Sequence, residues 1–255
     1  MSPFGVPVPA GYERLEIGAT TVVTRTAAVA GVRQALREAP TLHAWAAQAP
    51  DALGFTGRAT AWGVTLPCGA TRVVVRRSRH GGMLGPLQGD RFVAPGRAPL
   101  ELEVALRLQE AGVRTPDVVA YALYPAGPGL CRIDVLTRRL PDGADLPTVW
   151  ATADASTRDA ILAAVASLLR DLQAAGAHHA DLNAKNLHLA AEGGRWRAWV
   201  LDVDRVRFGA PNDPVLAARN LARLTRSLRK WRARAALPVD DATLTRLATL
   251  AGGAA

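Results

Sequence analysis

Two short polar segments constrain this chain more than anything else in it: His179-Ala180-Asp181-Leu182-Asn183-Ala184-Lys185-Asn186, and later Leu201-Asp202-Val203-Asp204. Asp181, Asn186 and Asp202 are hard oxygen donors, spaced 5 and then 16 residues apart. A lone Asp-x-x-x-x-Asn is common, and a lone Asp-x-Asp occurs in many surface turns. The specificity lies in what surrounds them. The spacing predicts a helix over 156–175, with Ser156 and Asp159 in a capping-box pattern. Its apolar face is Ile161, Val165, Leu168, Leu169 and Leu172, and Gly176 is the expected C-terminal cap. Residues 187–189 and 196–201 predict two short strands around Glu192-Gly193-Gly194. Helix, loop, strand, turn, strand and carboxylate therefore follow one another in a fixed order.

That order resembles the C-terminal lobe of a protein kinase, whose catalytic loop reads His-Arg-Asp-Leu-x-x-x-Asn and is followed by a metal-binding Asp after a short hairpin. The resemblance implies that Asp181 accepts the proton of an attacking hydroxyl, while Asn186 and Asp202 hold the magnesium bridging the ATP phosphates. It makes His179 a structural residue of the loop and gives His178 no role.

A kinase also needs a glycine-bearing hairpin, a strand carrying a cation, and a helix whose Glu pairs with that cation. Residues 54–62 predict a turn and strand with Gly57 in the phosphate loop, and Thr71–Arg76 a β-branched strand. The cation at its end is Arg76. The chain has two lysines, Lys185 and Lys230, both in its C-terminal half, so this strand cannot carry the usual lysine. Arginine still contacts phosphate and carboxylate. Residues 99–111 predict a helix ending at Gly112, with Glu101 and Glu103 as candidate partners and Glu101 favoured as the inward one. Residues 116–124 and 131–138 predict further strands, and Thr137-Arg138-Arg139-Leu140 approaches the hinge where adenine would bind. The expected fold is α+β and bilobal. Residues 1–140 form an N-lobe with an antiparallel sheet and one main helix, and 141–255 a mainly helical C-lobe. Residues 1–40 are expected to add a strand and a short helix to the N-lobe.

Composition bounds the function. No apolar run of about eighteen residues occurs, so no membrane span is expected. The start, Met1-Ser2-Pro3-Phe4-Gly5, lacks a basic flank and long apolar core, so no secretory signal is expected. Cys68 and Cys131 have no metal-ligand spacing and are expected to be reduced, buried thiols of a cytosolic protein. A net charge of +9 suggests an anionic partner. No zinc spacing, recognition-helix signature or aromatic-rich basic patch points to nucleic acid, which leaves an anionic membrane surface as the expected partner. An arginine-biased composition would explain much of the arginine excess, though not the net imbalance.

Further segments narrow the family. Val73-Val74-Val75-Arg76-Arg77-Ser78-Arg79-His80-Gly81-Gly82-Met83-Leu84 resembles the basic strand that runs into Gly-Gly in lipopolysaccharide core kinases. Residues 57–62, 179–186, 201–207 and 220–230 fit the same group. Over residues 40–232 the chain resembles the Kdo (3-deoxy-D-manno-octulosonic acid) kinases of the Kdo/WaaP family. That resemblance implies ATP-dependent phosphorylation of Kdo on lipid A, at the 4-hydroxyl, by a peripheral protein on the cytoplasmic face of the inner membrane. It implies that Asp181 is the base, Asp202 a metal ligand and Arg76 a phosphate contact.

The departures are Ala59 for a second glycine, Val203 for Phe, and Asp204 where protein kinases have Gly. Asp204 is either a second metal ligand or a cap of the next turn. Arg77, Arg79, His80, Arg205 and Arg207 are either acceptor or head-group contacts or solvated charges. The helix at 215–235 bears seven cations that are candidates to face anionic lipid, and its leucines 216, 221, 224 and 228 are expected in the core rather than as a membrane anchor. The competing functions are a heptose, aminoglycoside or other small-molecule kinase, an atypical protein kinase, and a non-catalytic pseudokinase that binds lipid or nucleic acid. The missing lysine favours the last, and the absence of an Ala-Pro-Glu signal after Asp202 argues against the protein kinase.

Overall fold

The computed structural model describes residues 5–55, 60–79 and 89–252. The chain divides into two compact units, one of Met1–Glu103 and Asp117–Arg139, the other of Val104–Pro116 and Leu140–Ala255. The second unit thus reaches back before the expected lobe boundary to include residues 104–116.

The first unit is an antiparallel sheet. Its strands are β1 (Tyr12–Ile17), β2 (Thr20–Arg25), β3 (Leu53–Phe55), β4 (Ala61–Thr65), β5 (Arg72–Arg77), β6 (Phe92–Val93), β7 (Val118–Pro125) and β8 (Leu130–Arg138). They pair in the order β1-β2-β7-β8-β5-β4-β3, with β6 on β8. β7 is buried along Val118–Tyr124, as an interior strand covered on both faces must be. On one face lie α1 (Val29–Glu38) and α2 (Leu42–Gln48), where Val32, Leu42 and Trp45 join Val22, Val73, Val75 and Leu136 in one apolar cluster. The N-terminal segment therefore supplies a hairpin and a helix, one strand more than expected. α3 (Ala98–Glu110) begins in this unit.

The second unit contains α4 (Leu146–Thr152), α5 (Ala155–Ala174), α6 (Pro214–Ala235) and α7 (Asp241–Gly252). Small sheets join β9 (Gly143–Asp145) to β11 (Leu187–Glu192) and β12 (Arg195–Val200), and β10 (Ala177–His179) to β13 (Val206–Phe208). The five apolar residues expected on α5 are all buried. Its cap differs from expectation. Asp154, not Ser156, accepts from the Thr157 N–H at 2.7 Å, and Ser156 Oγ donates to the same carboxylate at 2.9 Å. The helix begins at Ala155, which makes Asp154 the N-cap and puts Ser156 inside the first turn, and the bonds from Thr157 and Ser156 hold Asp154 below the usual carboxylate range. Gly176 ends the helix at φ +62°, where a Cβ would lie 2.6 Å from the Gly209 oxygen. That close approach lets β10 pair directly with β13. Cys131 is buried as expected, but Cys68 is exposed in a turn and donates to Gln34 Oε1 at 3.0 Å. Its backbone is left-handed, at φ 59°.

Candidate active site

In the second unit one histidine ties the two polar segments together. His179 is buried at the end of β10. Its Nδ1 accepts from the Asp181 N–H at 3.1 Å, so Nε2 carries the proton and donates to the Leu201 oxygen at 3.0 Å. Burial pushes its pKa below the ordinary histidine value, against the bond to Leu201 and the acids Asp181, Asp202 and Asp204. A neutral ring can bridge in this way, whereas a doubly protonated one could not accept from Asp181.

The loop then folds on itself. Asn183 Oδ1 accepts from the N–H groups of Lys185 and Asn186 at 3.0 and 3.2 Å, capping a single 3-10 turn over Ala184–Asn186. Asn186 donates its Nδ2 to the Asp181 oxygen at 2.9 Å, which leaves its Oδ1 as the free end of the amide. The Asn186 oxygen accepts from the Leu201 N–H at 2.8 Å, placing the next segment beside the loop. Asp202 follows at φ 55° and ψ 48°, a left-handed conformation that a non-glycine residue adopts only where its surroundings hold it. Here the hold comes from Leu201 on one side and buried Val203 on the other. Asp202 itself is exposed.

Asp181 has a partner from far along the chain. Arg223 of α6 donates Nη2 to Asp181 Oδ1 at 2.8 Å. Partial burial pushes this carboxyl up, but Arg223, Asn183 and Arg205 outweigh it and the net displacement is downward. Two further residues of α6 grip the loop. Asn220, buried, accepts from the His179 N–H at 3.0 Å and donates to the Ala177 oxygen at 2.8 Å. Ser227 Oγ accepts from the Ala184 N–H at 3.1 Å. None of these three is marked by the loop motifs. The available signal was their i, i+3, i+7 spacing on the face that also carries Leu224 and Leu228.

The other expected residues belong to the first unit. Arg76 pairs with Glu101, which is buried on α3, while Glu103 is exposed. Side chains alternate along a strand, so the adjacent Arg77 turns the opposite way. Its Nε lies 3.2 Å from fully buried Asp134, and its Nη2 donates to Thr41 at 2.9 Å. Asp134 also accepts from the His43 N–H at 2.9 Å. Arg77 therefore fastens α2 to the sheet and is removed from the candidate acceptor contacts. Arg79, Arg205 and Arg207 are exposed. Gly57, Ala59, His80, Gly81 and Gly82 lie outside the described residues.

Asn186 and Asp202 offer two oxygen donors on backbones joined by one hydrogen bond. Magnesium keeps several waters and takes phosphate oxygens as ligands, so two protein donors fit it without a larger acidic cage. Among the described residues no group of three or more His, Cys, Asp or Glu could hold a metal. The arrangement can present a carboxylate to a hydroxyl, hold a hard cation and, in the other unit, offer a guanidinium fixed by a buried acid.

The sequence model of the lipopolysaccharide kinase (Kdo/WaaP) family matches residues 43–246. A 3-deoxy-D-manno-octulosonic acid kinase of Xylella fastidiosa is 31% identical over 195 residues, 74% of this chain and 74% of that protein. One of Actinobacillus succinogenes is 29% identical over 183 residues, 70% of this chain and 75% of its own. A solved structure of WaaP in complex with acyl carrier protein is 19% identical, with a TM-score of 0.49 over 78% of this chain and 77% of that one. The matched span contains the Arg76–Glu101 pair, the 179–186 loop, Asp202 and the α6 face that grips the loop, and on that basis the chain belongs to the lipopolysaccharide kinase (Kdo/WaaP) family of phosphotransferases.

Proposed function

We propose that this protein transfers the γ-phosphoryl group of ATP to a hydroxyl of Kdo, the 4-hydroxyl, on Kdo-lipid A or its precursor. Asp181 takes the hydroxyl proton. The hydroxyl oxygen bonds to the γ-phosphorus as the bond to the β,γ-bridging oxygen breaks, ADP leaves, and the proton passes to solvent. Asn186 Oδ1 and the Asp202 carboxylate are the atoms that would hold magnesium, whose charge neutralises the phosphates when bound. Arg76, held by Glu101, contacts phosphate oxygens, and the adenine lies against residues 137–140. Phosphoryl transfer passes through a loose transition state in which placement matters more than base strength. A carboxylate of lowered basicity is compatible with that role.

The observation that carries this reading is His179, which ties the Asp181 backbone and the Leu201 carbonyl beside Asp202 through one ring. A site that only bound lipid would have no need to fix two carboxylate-bearing segments to each other.

The acceptor is anionic and lipid-anchored, so the enzyme works on the cytoplasmic face of the inner membrane. No helix is long and apolar enough to cross a membrane among the described residues. Attachment is instead electrostatic, through Arg219, Arg226, Lys230 and Arg234, exposed on an α6 that contains no acid. Binding to anionic vesicles should weaken as salt rises, and binding unchanged between low and high salt would remove this part of the proposal.

The decisive experiment is transfer from labelled ATP to Kdo-lipid A precursor with magnesium, beside Asp181→Ala. Label in the lipid that is lost in the variant supports both chemistry and acceptor. ATP bound without label in the lipid redirects the search to heptose and other acceptors. No ATP binding would favour the non-catalytic reading, for which arginine in place of lysine at 76 is the motivating observation.

A further inference from the structure

A carboxylate that must present one oxygen to a hydroxyl needs its side-chain torsions fixed, because a misplacement of about 1 Å can cost roughly 10²-fold in rate. The loop does not supply a cation to fix Asp181. Its lysine, Lys185, sits 3.2 Å from Asp145 and lies over the Trp231 ring at 5.4 Å. The side-chain amides of Asn183 and Asn186 donate to the Asp181 backbone oxygen, at 3.2 and 2.9 Å. The cation comes instead from α6, where Arg223 meets Oδ1 through a single N–H.

An ordinary surface arginine gains little from one such contact, because it must give up rotamer freedom to make it. Arg223 differs in what lies beneath it. Asn220, three residues earlier, is 1% exposed and bonded to both His179 and Ala177, and Ser227, four residues later, bonds to Ala184. The helix backbone is therefore pinned to the loop on both sides of Arg223, and the guanidinium has only its own side chain to order. Oδ2 makes no ion pair among the described residues.

We propose that Arg223 is a positioning residue for phosphoryl transfer, holding the Asp181 carboxylate through Oδ1 in the orientation that leaves Oδ2 for the acceptor hydroxyl. This rests on the assignment of Asp181 as the base. It also gives α6 a function beyond core packing and surface charge. Arg219, Arg226 and Lys230 stand at i−4, i+3 and i+7 from Arg223, so the exposed cations run beside the residues that grip the loop.

The test compares Arg223→Ala, Arg223→Lys, Arg223→Met and Asp181→Ala, with the Asp181→Ala/Arg223→Ala double variant. Transfer kinetics, ATP binding and the thermal midpoint are read on each. Arg223→Ala should lower kcat by about 10²-fold and leave KM for ATP within about twofold. Arg223→Lys should recover at least about tenfold of that loss, since one donor suffices, and Arg223→Met should not. In the Asp181→Ala background the Arg223 effect should vanish, because a residue acting through another has nothing to act on once the other is gone. A persistent Arg223 effect in that background, a change confined to KM, or Met performing as well as Lys would overturn the proposal. Should Arg223→Ala fail to fold, the Lys and Met variants carry the same comparison. Wild-type turnover in Asp181→Ala would instead remove the base assignment itself, a result visible without any Arg223 variant.

Discussion

In each unit an ion pair holds a candidate site residue, Arg76–Glu101 in the first and Asp181–Arg223 in the second, and the two are built in opposite senses. In the first, the acid is the fixed member: the Glu101 side chain is 8% exposed and Arg76 32%. In the second, both partners are open, Asp181 at 34% and Arg223 at 42%, and order comes from the backbone bonds around them. A buried acid holds the proposed phosphate-binding cation in one case, and a pinned helix holds the proposed base in the other. The pair in the first unit should therefore contribute to stability, whereas the pair in the second should matter for rate and little for folding.

The largest expected effect is on turnover. Asp181→Ala should reduce phosphoryl transfer by about 10²–10⁴-fold, the span of a positioned proton acceptor, with the thermal midpoint nearly unchanged because its side chain is a third exposed. A large drop in midpoint would break the contrast between the units.

Next comes an asymmetry within the first pair. Arg76→Ala leaves a buried carboxylate without its cation and should cost about 3 kcal/mol. Glu101→Ala leaves an arginine able to turn to water and should cost about 1 kcal/mol. Urea denaturation measures both, and a larger loss for Glu101→Ala would reverse the assignment of the anchored member.

Asn220→Ala should remove two buried hydrogen bonds, leaving the His179 N–H and the Ala177 oxygen unsatisfied, at about 1–3 kcal/mol. Its signature should be a stability loss in the second unit, read by hydrogen exchange at 177–186.

The smallest effect is that of pH. Burial lowers His178, His179 and His188, all in the second unit. An unfolded histidine binds its proton near pH 6.5, and the folded ones only at lower pH. Their contribution is fully present above that value and is lost as pH falls from about 6.5 toward the folded pKa values. The urea midpoint should therefore drop between about pH 7 and 5, ahead of most carboxylate titration, and exchange should locate the loss in the second unit. A midpoint flat over that range would contradict the displacement.

Much of this was legible in the chain because the information is local. The apolar stripe of α5, the Gly176 stop and the Gly193-Gly194 turn, at φ 57° and 74°, are each set by a few consecutive residues. The spacing of Asp181, Asn186 and Asp202 is likewise local, since one loop and one hairpin connect them. What failed was also physical. Ser156 and Asp154 are both acceptable caps, and the helix start at Ala155 makes Asp154 the cap. Arg76 and Arg77 are chemically identical neighbours, and the strand pleat alone decides that one meets Glu101 and the other Asp134.

The amino-acid sequence by itself determined the loop's polar residues, the order of elements around them and the family. Only the tertiary structure decided which groups hold those residues in place. Glu101 lies 25 residues from Arg76, Asn220 41 from His179 and Arg223 42 from Asp181. Partnerships over such separations depend on helix rotation and strand register, which packing sets and local propensity does not.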